Sequence, residues 1–390
     1  MRLVEKRRAD CPILPLRYGI TLTRGSEHVQ MASYGAAAPH LLSKERLVEP
    51  VRGVPGNGAG CKQDGRKALG LVNHQSYYLF VRLVRYGVVG AGAMGGVYCA
   101  VLTNGMTHGG ALVAVAGGSR AAALAARHGV EAEETPERLI ARRDLDGVVI
   151  ATPPSTHMPL TIEAARAQKH VLVEKPMARN VDECDAMIAA CDEAGVVLAV
   201  NKLTRYRDTT RELKRLIDLG TIGEIRMIRV QLTRAGLEEN LPGRALGGMA
   251  WIRNESEGTE WLDWGCHACD MLRFLTGSEP TLAFGQFADF RSDPEPPLHR
   301  SGMCQYTFEN GVLAQIWMSS ELALPGLTSQ TEYVVAGADG ILAADMYGKL
   351  MLGRNGTWTV AAEQAPFDYV HNQWDPVRLA GWARQVDDLT

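Results

Sequence analysis

The sequence has few cysteines and no long hydrophobic run. Eight cysteines are scattered irregularly over 390 residues, which excludes a disulfide-stapled secreted scaffold and indicates reduced thiols in a cytoplasmic protein. No apolar stretch approaches the roughly 18–20 residues of a membrane span, so we expect no membrane partner. With 46% hydrophobic and 22% charged residues, the composition is that of a globular protein with room for two domains.

A strong net charge is also absent, but the charge is unevenly distributed. Residues 1–80 contain 12 Lys and Arg against 6 Asp and Glu, whereas the remainder contains 29 against 38. The acidic body argues against a nucleic-acid partner. Residues 1–80 lack a sustained helical or strand period and the apolar core of a secretory signal. We interpret them as a poorly ordered extension translated from upstream of the natural start, with Val81 as an alternative start; an organelle transit peptide is the less favoured alternative.

A glycine-rich turn follows the first strand-like run after this segment. The run Val84–Gly90 leads into a G-x-G-x-x-G pattern and then a helical stretch. The first glycine lets the strand turn sharply, the second lets the backbone approach a phosphate, and the third lets helix and strand pack closely. The helix N-terminus adds unpaired N–H groups. The pattern predicts a dinucleotide pyrophosphate bound by Gly90, Gly92, Ala93, Met94 and Gly95.

The pattern of elements divides the remaining chain into two parts. Strands alternate with helices up to about residue 203, which predicts a parallel sheet with right-handed crossovers. Later residues are mostly strands joined by hairpin turns such as Glu309-Asn310-Gly311, typical of an antiparallel sheet. We therefore predict an α/β fold: a Rossmann NAD(P)-binding domain over 81–203, then an α+β domain over 204–390 with a large, mainly antiparallel open sheet.

The end of the second strand addresses the choice between NAD and NADP. A carboxylate there binds the ribose 2′-OH of NAD and repels a 2′-phosphate. Here Ala111–Ala116 is followed by Gly117-Gly118-Ser119-Arg120, without a carboxylate. Ser119 and Arg120 suit a 2′-phosphate, which favours NADP. In the alternative, Ser119 caps the next helix and Arg120 is merely solvated, so NAD stays open.

Two further segments carry titratable side chains suited to catalysis. Lys175 follows the strand-like run His170–Glu174, and ligands of open α/β sheets bind beyond the carboxyl ends of strands. Lys175 is therefore a candidate to donate to a substrate oxygen, with a surface lysine as the alternative. On the helix predicted near 259–275, Asp263, His267 and Asp270 share one face. A carboxylate beside an imidazole raises its basicity, so His267 is a candidate general base; a structural histidine is the alternative.

These segments together resemble the Gfo/Idh/MocA oxidoreductase family over about residues 84–380. The run Val148–His157, the Glu174-Lys175-Pro176 motif and the D-x-G-x-H-x-x-D pattern from Asp263 to Asp270 carry the resemblance. It implies that His267 takes the proton of a substrate hydroxyl, that Lys175 binds and polarises that oxygen, and that Asp263 holds the substrate or orients His267. It also implies a Lys–Pro bond that is often cis, and cofactor contacts from Thr152, Pro153, His157, Glu174 and Lys175.

The resemblance implies hydride transfer between nicotinamide and a sugar, inositol or related polyol, in a homodimer or homotetramer. A cofactor-retaining, glycoside-cleaving or eliminating enzyme and a non-catalytic nucleotide-binding regulator are the alternatives. Lys175, Asp263, His267 and Trp251 are the predicted substrate contacts. Trp251, Trp261 and Trp264 suit stacking on a sugar face, with core packing as the alternative, and Lys202, Arg207, Arg253 and Asn254 are candidates by position alone. We predict no metal site, although Cys266 and Cys269 have C-x-x-C spacing. Family members commonly continue beyond Trp382–Leu389, so we expect a chain that is truncated at its end.

Overall fold

A computed structural model describes residues 18–24, 27–33, 66–71, 77–235, 257, 259, 261–290, 299–322, 329–365 and 376–390. The chain divides into two compact units, Met1–Leu83 with Asp388–Thr390, and Val84–Asp387. None of the described helices combines the length and hydrophobicity that a membrane span needs.

The first unit contains short strands where the sequence predicted no regular element. Strands β1 (Tyr18–Arg24) and β2 (Glu27–Ser33) pair antiparallel, as do β3 (Arg66–Leu71) and β4 (Tyr77–Arg82). Runs such as Tyr-Gly-Ile-Thr-Leu-Thr-Arg contain the β-branched and aromatic residues that strands favour, but they are too short for a periodic signal to stand out.

The second unit begins with a parallel sheet. In the described part of the chain its strand order is β10-β9-β8-β5-β6-β7, all parallel, which confirms the predicted Rossmann arrangement. The strands are β5 (Val84–Val89), β6 (Gly110–Ala116), β7 (Glu131–Glu133), β8 (Gly147–Ile150), β9 (His170–Val173) and β10 (Leu198–Val200). The helices between them are α1 (Ala93–Thr103), α2 (Ala121–His128), α3 (Pro136–Ile140), α4 (His157–Arg166) and α5 (Val181–Ala194). The strand order reverses beside β5, so the ligand crevice of this fold opens at the carboxyl ends of β5 and β8.

The second sheet of this unit is mainly antiparallel, as predicted. Its order is β12-β13-β14-β11-β15-β16-β17-β18, and within the described residues only β11 and β14 pair in parallel. Helix α6 (Asp208–Asp218) precedes β11 (Ile225–Ala235), and a π-helical turn, Trp261–Gly265, leads into α7 (Cys266–Thr276). The remaining strands are β12 (Pro280–Ala288), β13 (Ser301–Phe308), β14 (Leu313–Leu322), β15 (Ser329–Gly337), β16 (Ile341–Asp345), β17 (Lys349–Arg354) and β18 (Thr357–Glu363).

The two faces of this sheet differ in burial. On one face, Val230 and Ile316 form a buried core with Met271 and Leu272 of α7. This packing covers one sheet surface with helices, which is how a sheet with one apolar face is stabilised. On the other face, large apolar side chains such as Met227 and Leu313 are exposed.

Helix α8 (Pro376–Asp387) returns to the parallel sheet. The Asp387 carboxylate accepts hydrogen bonds from the backbone N–H groups of His108 (2.6 Å) and Gly109 (3.3 Å). The Gln385 side-chain amide donates to the Val200 carbonyl at 3.0 Å. Trp382 and Val386 are buried, so α8 is part of the packing of the half of the unit that contains the parallel sheet.

Candidate active site

The three motif glycines have different structural requirements. Gly90 has a φ of +111°, and a Cβ there would lie 2.2 Å from the Ala151 carbonyl oxygen. A Cβ on Gly95 would lie 1.7 Å from the Gly90 carbonyl oxygen, whereas a Cβ on Gly92 would meet nothing within 4 Å. Gly90 and Gly95 are therefore required by packing, and Gly92 faces open space. This is the space into which the motif lets a pyrophosphate approach.

The beginning of α1 suits an anion. Gly92 is its N-cap residue, no side chain caps the helix, and its first turn contains no acidic residue. The N–H groups of the first turn, including those of Ala93 and Met94, thus donate no hydrogen bond to an N-cap side chain. A helix N-terminus with this character attracts phosphate groups through its dipole and its unpaired donors.

The segment after β6 lies next to the glycine turn. A Cβ on Gly117 would be 3.0 Å from the Gly90 Cα and the Ala91 nitrogen. Ser119 and Arg120 follow in a short 3₁₀ turn and are exposed. The N-cap residue of α2 is Arg120, without a side-chain cap, so the alternative in which Ser119 caps that helix is wrong.

The loop after β8 is braced by His157. This imidazole is fully buried. Its Nε2 lies 2.8 Å from the carbonyl of Thr152, and its Nδ1 lies 3.0 Å from the carbonyl of Pro176. The Lys175–Pro176 peptide that it contacts is cis. The expectation that His157 contacts the cofactor therefore needs correction: both ring nitrogens face backbone carbonyls, and the side chain holds together the loops that carry Thr152, Pro153 and Lys175.

Glu174, the next predicted cofactor contact, is buried. Its carboxylate accepts hydrogen bonds from the Tyr98 hydroxyl (3.1 Å), the Asn201 side-chain amide (2.6 Å) and the Lys175 backbone N–H (3.0 Å). Burial raises the pKa of Glu174 above its ordinary value, although these donors favour the charged form. The network links α1, β9 and the end of β10, and it fixes the backbone at Lys175.

Lys175 and Asp263 form an ion pair that joins the half of the unit containing the parallel sheet to the half containing the second sheet. The Lys175 ammonium lies 2.5 Å from the Asp263 carboxylate and 3.2 Å from the Asp263 backbone carbonyl. Asp263 is 2% exposed and lies in the π-helical turn. Burial is the largest single influence and works against the charged ammonium. The negative charges of Asp263, Cys266 and Glu174, together with the hydrogen bond to Asp263, nevertheless hold the pKa of Lys175 above its ordinary value. Lys175 is thus a proton-bearing group that can donate to an oxygen.

His267 occupies the second position of α7 without either expected carboxylate partner. Asp263 binds Lys175, and Asp270 accepts two hydrogen bonds from Arg205, at 2.8 and 2.6 Å. The Nδ1 of His267 is buried and has no hydrogen-bond partner in the part of the chain that the structure describes. The expectation of an Asp263–His267 contact is wrong because the π-helical turn removes Asp263 from the α-helical i, i+4 spacing.

The surroundings of His267 keep its imidazole neutral. Burial lowers its pKa well below the ordinary value, and the positive charges of Lys175, Lys202 and Arg207 lower it further. A neutral imidazole can accept a proton, which is the form that a general base requires. The arrangement therefore combines a proton donor, Lys175, with a proton acceptor, His267.

Family models match both halves of this unit. Residues 84–202 match the model described as "Oxidoreductase family, NAD-binding Rossmann fold", and residues 210–343 match the "GFO/IDH/MocA C-terminal domain". The chain belongs to the Gfo/Idh/MocA family.

Relatives in the Gfo/Idh/MocA family include a 1,5-anhydro-D-fructose reductase from Ensifer adhaerens, 31% identical over 57% of this chain and 64% of the relative. An inositol 2-dehydrogenase 2 from Saccharopolyspora erythraea is 30% identical over 59% of this chain and 65% of the relative. The chain spans about half the length of several curated relatives that it matches. A solved oxidoreductase from Agrobacterium radiobacter, in complex with NAD⁺, L-tartaric acid and magnesium, is 18% identical, with a TM-score of 0.66 over 78% of this chain and 92% of that one. That likeness shows a shared fold.

Several site residues of this Gfo/Idh/MocA chain were missed from sequence. Tyr98 and Asn201 bind Glu174, and the Glu257 carboxylate accepts hydrogen bonds from the Ser155 backbone N–H (2.7 Å) and hydroxyl (2.6 Å). Strand register carries the signal for Asn201, because Val173 and Val200 are partners in β9 and β10. We find no such signal for Tyr98 or Glu257, since neither has a motif around it.

The remaining predictions concern tryptophans and cysteines. Trp251, like Arg253 and Asn254, lies outside the described residues. Trp261 and Trp264 pack against the core of the second sheet, which favours core packing over sugar stacking for these two. Cys269 lies 3.4 Å from the Tyr306 hydroxyl. Among the residues that the structure describes, no group of three or more His, Cys, Asp or Glu side chains is arranged to hold a metal.

Proposed function

We propose that this protein is an NAD(P)-dependent oxidoreductase that transfers hydride between nicotinamide and a hydroxyl-bearing carbon of a sugar, inositol or related polyol. The observation that carries the proposal is the Lys175–Asp263 pair at the carboxyl end of β9, with neutral His267 on the neighbouring helix. The glycine cradle at the start of α1 supports dinucleotide binding. The names of the curated relatives, a sugar reductase and an inositol dehydrogenase, support the substrate class.

The cofactor, when bound, supplies the hydride acceptor or donor. The chain's own residues handle the proton and the geometry. Lys175 donates a hydrogen bond to the reacting oxygen, and Asp263 fixes the ammonium in place. His267 accepts the hydroxyl proton during oxidation and returns it during reduction. Holding these groups at fixed positions removes much of the entropic barrier to reaction.

The proposed cofactor is NADP rather than NAD. Ser119 and Arg120 are exposed beside the glycine turn, where an adenosine ribose approaches in this fold. The carboxylates of the adjacent strand, Glu131 and Glu133, both contact Arg142, whose guanidinium offsets part of their negative charge. Titration of the protein with NADP and NAD tests this: Arg120→Ala should weaken NADP binding and leave NAD binding unchanged, and a several-fold preference for NAD in the unaltered protein would overturn the choice.

The open face of the second sheet supports a homodimer or homotetramer. Phe284, Leu313 and Trp358 are 60%, 49% and 54% exposed there, and such apolar patches mark interaction surfaces. Replacing exposed apolar residues of this face with Lys should convert the assembly to monomers in analytical ultracentrifugation. A monomeric wild-type protein would refute this part of the proposal.

The activity itself is tested with a panel of sugars and polyols, followed by nicotinamide absorbance with NAD and NADP in parallel. Steady appearance of reduced nicotinamide supports the dehydrogenase. Product formation without net cofactor reduction would instead identify a cofactor-retaining cleavage or elimination cycle. Lys175→Met should abolish turnover, and full turnover by that variant would refute the assigned role.

A further inference from the structure

Lys202 lies beside Lys175 at the edge of the parallel sheet. Val173 of β9 and Val200 of β10 are register partners, so Lys175 and Lys202 each follow two residues beyond the paired strand ends. The intervening residues are also tied together, because the Asn201 amide donates to Glu174 at 2.6 Å. Carboxyl ends of neighbouring parallel strands meet at one edge, so the two lysines border the same crevice.

Lys202 differs from its charged neighbours Lys175 and Arg205 in having no ion-pair partner among the described residues. Lys175 is paired with Asp263, and Arg205 with Asp270. Lys202 is half-buried and makes no ion pair with any side chain in the described ranges. Its positive charge reaches His267, Cys266 and Cys269 at the start of α7, so it lies near the proposed base.

The cofactor phosphates do not account for this charge. The pyrophosphate cradle lies between β5 and α1, and β10 is separated from β5 by β9 and β8. Three steps across a sheet amount to roughly 14 Å, which is beyond the reach of an ion pair with Lys202. Within the described residues, the charge of Lys202 is therefore matched neither by a carboxylate side chain nor by the position of the cofactor phosphates.

We propose that the substrate is an anionic sugar whose carboxylate or phosphate binds Lys202 while its reacting hydroxyl lies between Lys175 and His267. This inference rests on the proposed function and adds the charge class of the substrate. An ammonium is a strongly hydrated point charge that suits either anion. Its position one strand away from Lys175 places the anionic group of the sugar away from the reacting carbon.

The test compares matched sugars on one enzyme. D-gluconate and D-glucose 6-phosphate are compared with D-glucose by kcat/KM, at low and high ionic strength. We expect at least a tenfold preference for one of the anionic sugars, a preference that salt weakens, and the two anions distinguish carboxylate from phosphate. Lys202→Met should reduce that preference at least tenfold, and Lys202→Arg should retain most of it. Lys349→Met, which alters an exposed lysine of β17, is the matched control.

A preference for neutral glucose, or an equal effect of Lys202→Met on neutral and anionic sugars, would overturn the inference while leaving the oxidoreductase intact. Calorimetric binding of the three sugars to the cofactor-saturated protein gives a readout that does not depend on turnover. Tighter binding of an anionic sugar that is lost in Lys202→Met supports the inference even if hydride transfer is not detected, in which case the proposed function fails separately. Equal binding of all three sugars would refute it.

Discussion

The ammonium of Lys175 lies 2.5 Å from the carboxylate of Asp263. The two residues belong to different halves of the same compact unit, one half built on the parallel sheet and the other on the second sheet. Lys175 follows β9 of the parallel sheet, and Asp263 lies in the turn that opens α7, which packs on the second sheet. The ion pair therefore forms only when both halves have folded against each other. Activity and stability are coupled at this contact.

Breaking this pair should destabilise the protein strongly. Lys175→Met or Asp263→Leu alone leaves one buried charge uncompensated, which costs about 3–5 kcal/mol of unfolding free energy. The double variant removes both charges and should lose less than either single variant. Urea denaturation of the four proteins measures the coupling, and strictly additive losses would contradict the importance of the pair.

The cofactor cradle predicts opposite outcomes at two glycines. Gly92→Ala directs a methyl group into open space, so the unfolding free energy should change by less than about 1 kcal/mol. Its cofactor affinity should fall at least tenfold, because the methyl group occupies the proposed pyrophosphate position. Gly95→Ala forces a Cβ against the Gly90 carbonyl and should destabilise the fold by about 3 kcal/mol. Calorimetry with NADP measures the cofactor affinity of both variants, and thermal melts measure their stability. If Gly92→Ala binds NADP as tightly as the unaltered protein, the pyrophosphate does not lie at the start of α1.

The pH dependence of stability should contain a contribution from His267. Its pKa is depressed in the folded protein, so below about pH 6.5 the unfolded chain binds a proton that the folded protein does not. The unfolding free energy should therefore fall as the pH decreases from about 6.5 towards the depressed pKa, and be unaffected by this residue above that window. His267→Asn should show a shallower decline over the same range. Denaturant titrations between about pH 4.5 and about pH 8.5, which span about 2 units on either side of the ordinary histidine pKa of about 6.5, provide the comparison.

The same variant tests the catalytic role. Loss of a general base typically lowers turnover by about 10²–10⁴-fold.

Lys202→Met should raise the pKa of His267, because it removes one of the charges that lower it. The acidic limb of kcat/KM should then move to higher pH in Lys202→Met. If the acidic limb of the kcat/KM profile stays at the same pH, a group other than His267 determines it.

The network beneath Lys175 predicts a role for Tyr98. Tyr98→Phe removes one of the donors to the buried Glu174 carboxylate, which should cost about 1–3 kcal/mol of unfolding free energy. Turnover should also fall, with cofactor affinity unchanged, because Glu174 holds the Lys175 backbone. Tyr86→Phe is the matched control, since Tyr86 is also a buried tyrosine of the nucleotide-binding half. Equal effects of the two substitutions would exclude a specific role of the Tyr98 hydroxyl.

Local signals made most elements of the second unit predictable. Helix α5 begins and ends where the sequence indicates, because the Asn180 side chain caps its first turn and Gly195 ends it with a φ of +67°. Helix α3, Pro136–Ile140, was missed because five residues are too few for an amphipathic period. A Thr135 cap followed by Pro136 was the available indication.

The site was predictable where a motif contains its residue and unpredictable where partners meet through the fold. Gly90 and Lys175 are recognised from their positions at strand ends. The pairing of Asp263 with Lys175 depends on a π-helical turn, and an assumed α-helical period assigned that carboxylate to His267 instead. Tyr98 and Glu174 are hydrogen-bonded although they lie 76 positions apart in the sequence, and no periodic pattern in the sequence predicts such a contact.

The return of α8 also affects the order in which the protein can be completed during synthesis. Domains generally fold as units while the chain emerges from the ribosome. Here the strands of the parallel sheet are translated first, yet Val386 packs against Gly110 and Asp387 binds the turn before β6. The last packing contacts of the nucleotide-binding half therefore form only after the entire second sheet has been translated. A ribosome that stalls between β18 and α8 leaves exposed the apolar surface that α8 covers in the complete protein.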